Sequence, residues 1–145
     1  MAFRYVYCDT AGDPVIESFP LAAVTTIRNE LISYNAAGFL TNADFATVTT
    51  VLTAGVGQEV VVNAAGAAGA LQQPIICTKG ARYVADTTGA VERTDIGTNV
   101  TIDSALLVDE DDPVTTSAGV ARMLNVVGTA GTATQALVSI NYGTP

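Results

Sequence analysis

From Gly55 to Tyr142 the chain is a succession of short apolar runs, EVVVN, QPIICT, ARYVAD, GAVERTD, NVTIDSALLV, VARMLNVV and ALVSINY, parted by clusters of Gly, Pro, Asn, Asp or Thr. Runs that restart at a spacing of roughly 8 to 15 residues, with no long helical pattern between them, predict a mainly β chain folded as a small antiparallel β-sandwich or barrel. The residue types agree. Val, Ile and Thr branch at Cβ, so they lose rotamer freedom in a helix and pack well on a pleated surface. A chain of 145 residues buries about 68–70% of the surface its unfolded form exposes, enough to fold without staples. The segment NAAGAAGA, residues 63–70, resembles a linker between an N-terminal arm or α-containing segment, 1–54, and a β-rich body, 55–145. Apolar content continues on both sides of it without a charge shift, so the expectation is a surface loop inside a single domain, 1–145.

The N-terminal third reads differently. FRYVYCD alternates Phe3, Tyr5 and Tyr7 against Arg4 and Val6, the period of a strand, and TAGDP then turns the chain so that VIESF can return as a hairpin partner. Between Ser18 and Tyr34 the period changes. Ser18 can cap, Pro20 suits a first helical turn, and Leu21, Val24, Ile27 and Leu31 recur near helical spacing, which predicts a short helix. A second candidate starts at Thr41, with Asp44 completing a capping box before Phe45, Val48, Val51 and Leu52. Its Val-Thr-Thr-Val core serves a strand equally well. One or two short N-terminal helices are therefore expected.

Six Lys and Arg against fourteen Asp and Glu leave a formal charge of −8. Affinity for nucleic acid and for anionic membranes comes largely from basic side chains, so neither is an expected partner. No stretch approaches the ~18 to 20 uninterrupted apolar residues of a spanning helix. MAFRYVY lacks the basic segment and apolar core of a secretory signal, and the chain is expected to be made and to fold in a cytoplasm. Cys8 and Cys77 fit no metal or redox spacing, and Cys77 in PIICT reads as a small buried apolar residue.

The sequence contains no histidine, which removes the usual general base, the Ser-His-Asp and Cys-His systems and most zinc sites together. Lys79, the one lysine, has no S-x-x-K context. GVGQEV lacks the third glycine of a dinucleotide fingerprint, and GAAG is not followed by the Lys and Ser or Thr of a phosphate loop. No catalytic residue, metal ligand or cofactor is expected.

The one concentration of charge is LLVDEDDPV, residues 106–114. Against the calcium loop D-x-[DN]-x-[DN]-G, Asp109 and Asp111 fill the first two ligand positions, but Pro113 takes the third, Val114 replaces the turn glycine and Val120 replaces the bidentate acid. A less regular calcium cage from Asp109, Asp111 and Asp112, serving a glycan-binding module, stays open as an alternative. The favoured reading is a solvated turn that ends a buried strand in water and restarts after Asp112-Pro113, because adjacent carboxylates repel.

The segment best suited to contact is the first strand, with Phe3, Arg4, Tyr5 and Tyr7 as candidate partner-binding residues. A first strand can bury its aromatics in the core. Tyr and Arg are also enriched at the centres of interfaces, and a terminal strand is free to join a neighbouring sheet edge.

The segment GARYVADTTGAV, Gly80 to Val91, resembles a hairpin of the small capsid decoration, or cement, proteins of tailed bacteriophages: a strand with an aromatic and an Asp, a Thr/Gly turn and a second Val-containing strand. SALLV, the loop after it and GVARMLNV are similar to the strand, acidic turn and closing strand near such proteins' C-termini. The resemblance covers the last 60 to 70 residues or so; the first fifty do not share it. It implies a non-enzymatic virion protein on the outer face of an icosahedral shell, synthesised in the bacterial host cytoplasm, bridging subunits of the major capsid protein and assembling with itself, often as a trimer. It transfers no functional residue. Another phage structural β-domain, from a tail tube, a head-completion protein or a fibre, is the alternative within the same kind of particle.

Overall fold

The computed structural model describes residues 3–8, 14–42, 53–77, 81–104, 106–114 and 121–140, with the side chains of Tyr7, Cys8, Thr53, Cys77 and Val114 outside the description. Among the described residues the chain is mainly β, with three antiparallel sheets and no α-helix. The largest sheet has six strands in the order β1 (Phe3–Cys8), β9 (Ala81–Asp86), β13 (Gln135–Ile140), β12 (Ala121–Val126), β10 (Asn99–Ser104) and β11 (Leu107–Val114). A five-stranded sheet orders β2 (Ile16–Pro20), β8 (Gln72–Cys77), β6 (Thr53–Gly57), β4 (Leu31–Tyr34) and β5 (Leu40–Asn42). A ribbon pairs β3 (Thr25–Thr26) with β7 (Val61–Val62).

Strand periodicity builds the core. In β9 and β13 buried and half-buried residues alternate strictly, setting Ala81, Tyr83 and Ala85 beside Ala136, Val138 and Ile140 on one face. That face meets Leu31, Val56 and Ile76 of the five-stranded sheet in one apolar cluster. The opposite face of the five-stranded sheet carries a second cluster, Leu21, Ile32, Leu40 and Ile75, flanked by Phe19, Tyr34 and Val61. Consecutive pairs such as Leu31-Ile32 and Ile75-Ile76 thus serve different clusters, because neighbouring strand residues point to opposite faces. The six-stranded sheet also touches itself: Thr87, just past β9, bridges Val108 of β11.

The helix expected between Ser18 and Tyr34 is replaced by strands and turns. Leu21 and Val24 join the smaller cluster, Ile27 is exposed and Leu31 enters the larger one, so four residues at helical spacing face three environments. The β-branched Thr25, Thr26 and Ile27 disfavour a helix at its middle. Asn29 then takes a left-handed conformation, φ 66°, that Asn tolerates and most residues do not. Of the second helix candidate, Thr41 lies in β5, and residues 43–52 are outside the described residues. β2 pairs with β8 and not with β1, so the expected N-terminal hairpin does not form. The GAVERTD run is not a strand either: Glu92 N–H donates to Asp95 Oδ2 at 2.6 Å and closes a 3-10 turn over Arg93–Asp95. The hairpin of the resemblance is therefore missing its second strand.

Residues 64–70 form an exposed loop whose base is pinned by buried Asn63. Its Nδ2 donates to Ala22 O at 3.0 Å and to Ala67 O at 3.1 Å.

Candidate interaction surface

β1 is an edge strand of the six-stranded sheet, and the structure distributes the four candidate residues along it. Phe3 is fully buried, opposite Ala85, as a member of the larger cluster. Tyr5 is half-buried and meets Tyr83 edge-on, with ring centroids 6.2 Å apart and planes at 75°. Arg4 lies on the other face, where Nη2 donates to Gln135 Oε1 at 3.3 Å and the buried Nε has no hydrogen-bond partner among the described residues. A bulge at Val6 shifts the register, so that Tyr5 opposes Tyr83 but Tyr7 opposes Arg82. The simple alternation expected of FRYVY is thereby broken, and Tyr7 stands out of phase with Phe3 and Tyr5.

Two rows of residues cross the outer face of this sheet. One runs Arg82, Ser139, Arg122, Asn99, and the next runs Arg4, Val84, Leu137, Asn125. Half of the six basic residues in the chain stand on this face. Beside them the Gln135 amide links Arg4 to Asp86, accepting from the guanidinium and donating to Asp86 Oδ1 at 2.7 Å. Arg122 is exposed. At strand separations of about 4.8 Å, Arg82 and Arg122 lie ~10 Å apart across β13.

The far edge of the same sheet is acidic. The run expected to be a solvated turn lies inside β11, where Thr101 pairs with Asp109 and its neighbour Val100 pairs with Pro113, so Glu110, Asp111 and Asp112 bulge out of the ladder. Asp111 and Asp112 are exposed, as that reading expected. Glu110 departs from it: only 3% exposed, it accepts from Thr88 Oγ1 at 2.9 Å and ties the edge strand to the turn after β9. Thr101 Oγ1 donates to Asp112 Oδ2 at 2.8 Å. Burial pushes the Asp109 carboxyl above its ordinary value. Asp112, Glu110 and Asp103 push it further, against the Asp111 N–H that donates to it at 3.3 Å. Among the described residues no three His, Cys, Asp or Glu side chains gather as a metal cage. No helix there is long and apolar enough to cross a membrane.

A second surface went unread in the sequence. At the β3–β7 ribbon Val62 and, just before β7, Val60 are 67% and 64% exposed, and Ile27, just after β3, is exposed as well. The signal was present in EVVVN, where an alternating β-branched run pairs with only two residues and leaves its outer side chains uncovered. The side chain of Cys77 and all of Lys79 fall outside the described residues. Comparison of the chain with family models, with curated proteins and with solved structures finds no match.

Proposed function

We propose that this chain is a non-enzymatic structural protein of a virion, a decoration protein that binds the outer face of an icosahedral phage shell, bridges its capsid subunits and assembles with itself, with three copies as the expected number. The reading includes a fold in which the six- and five-stranded sheets pack face to face as a sandwich, supported by the apolar cluster that draws on both.

The observation that carries the adhesive role is the apolar ribbon. Val62 of the ribbon, Val60 just before its second strand and Ile27 just after its first are exposed large apolar side chains, and apolar side chains grouped on a surface mark contact sites. The base of the ribbon is held by a buried bond, Thr26 Oγ1 to Gln73 Oε1 at 2.6 Å, and beside it Asn42 Nδ2 donates to Thr25 O at 3.0 Å and to Glu30 Oε1 at 2.6 Å. An adhesive side chain on a fixed base loses little freedom when it docks. Many copies on a repeating lattice then add avidity without tight single contacts.

The test is an image of assembled particles together with their heat tolerance. Particles carrying the protein are expected to show it on the exterior in hundreds of copies and to withstand more heat than particles lacking it. Val60→Ser with Val62→Ser is expected to reduce occupancy while leaving the melting of the free protein unchanged. Equal tolerance with and without the protein removes the decoration role, and a copy number in the tens or below assigns it to a connector.

A further inference from the structure

The six-stranded sheet is electrically polarised across its outer face, and its two ends complement each other. Arg4, Arg82 and Arg122, with Asp86 as the one acid beside them, stand on β1, β9 and β12, while Asp103, Asp109, Asp111 and Asp112 stand on β10 and β11. Within one chain β10 lies between β12 and β11, two strand spacings or about 10 Å, and β11 meets the end of β9 at Thr87 and Thr88, five and six residues beyond Arg82. Arg122 makes no hydrogen bond or ion pair among the described residues. At the other end the acids crowd one another in a bulge that points out of the ladder.

We propose that this face is where copies of the chain meet: the acidic bulge of β11 from one copy docks against the Arg82–Arg122 row of the next. This assignment rests on the self-assembling module proposed above and names its contact. Complementary charge favours the second copy as occupant. The chain carries −8 overall, so two copies repel at long range, and a specific contact must bring opposite local charges together. The two patches occupy different parts of the molecule, so the contact is heterologous, and repeating it closes a ring where the rotation allows. The bulge suits the task. The displaced residues stop that edge from adding strands by backbone pairing, and the exposed pair Asp111 and Asp112 leaves side-chain charge as the means of contact. The arginines supply planar donors that accept carboxylates two oxygens at a time.

The experiment is sedimentation velocity on the purified full chain, free of particles. Wild type is expected to form a discrete oligomer whose association weakens about tenfold or more as salt rises from roughly 0.05 to 1 M, where the screening length falls to about 3 Å. Arg82→Glu with Arg122→Glu is expected to sediment as a folded monomer, as is Asp111→Lys with Asp112→Lys. All four changes in one chain should restore the oligomer by reversing both ends. The salt titration needs no variant, so the proposal stays testable if one pair of substitutions disturbs folding. A wild type that stays monomeric up to ~0.1 mM, a salt-insensitive oligomer, or a folded fourfold variant that stays monomeric would overturn it. A monomeric wild type whose particle occupancy is lost in the Arg82→Glu, Arg122→Glu variant would also overturn it. That result would assign the face to the shell and leave the decoration role standing.

Discussion

Asp109 shows how a single side chain records its surroundings. Its carboxyl is lifted above the ordinary 3.8, first by burial and then by Asp112, Glu110 and Asp103. A group that holds its proton more tightly in the folded chain adds stability below 3.8, and that contribution is lost as pH rises through the folded value. The ionised Asp109 is therefore a burden on the fold at neutral pH. Asp109→Asn keeps the acceptor for the Asp111 N–H and is expected to raise stability at about pH 7 by up to about 1 kcal/mol, as screening allows for a partly exposed charge. In thermal melts of dilute protein, the gain should be gone by about pH 3; a gain of equal size there would mean that charge is not its source. Gly57 makes the opposite case, a residue fixed by space. A Cβ at this position would lie 2.9 Å from Ile27 O, at the crossing where Gly57 N–H donates to Glu30 O. The clash is with backbone, which cannot swing aside. Gly57→Ala is expected to cost about 1–3 kcal/mol in denaturant unfolding.

At the scale of elements, what could be read in advance depended on whether neighbours in sequence are neighbours in space. β9 and β13 are legible because their alternation is complete within six residues and needs no partner to be recognised, and β8 because a short apolar run such as PIIC suits a strand buried on both faces. Leu21, Val24, Ile27 and Leu31 misled because their spacing suits one helical face, while the environments that sort them come from β5, β6 and β7, all later in the chain. The acidic run was half legible: Asp111 and Asp112 face water, but the burial of Glu110 depends on Thr88, 22 residues away. Phe3 and Tyr5 follow the strand period and Tyr7 does not, because a bulge has no signature in FRYVY. The link from Glu110 to Thr88 has a consequence for its whole strand. β11 sits at the sheet edge, paired only with β10 apart from the Thr87–Val108 bridge and the Thr88 N–H to Val108 O bond of 3.0 Å. Thr88→Val removes a donor from a buried carboxylate and is expected to cost about 1–3 kcal/mol. Amide exchange should quicken in β11 before it quickens in β13; uniform acceleration would place the bond's effect elsewhere.

For the molecule as a whole, the question is whether two large sheets behave as one cooperative body. The first fifty-odd residues do not form a separate unit of pairing: β1 joins β9, β2 joins β8, and β4 joins β6. The Phe3 N–H donates to Asn29 O at 2.9 Å, and Asn29 N–H donates to Gly57 O at 2.9 Å, which stitches the edge of one sheet to the turn that crosses the other. Leu31 comes from the five-stranded sheet yet is fully buried in the cluster dominated by the six-stranded one. Truncating it leaves a cavity shared by both, so Leu31→Ala is expected to cost about 2–5 kcal/mol and to lower protection in β8 and β13 equally. Leu40 belongs to the cluster on the far side of the five-stranded sheet. If the shared cluster couples the sheets, Leu40→Ala also shifts one common transition, read alike by circular dichroism and by hydrogen exchange. If β4, β5 and β6 instead lose protection while β12 and β13 keep theirs, the sheets unfold separately and the larger cluster does not bind them into one body.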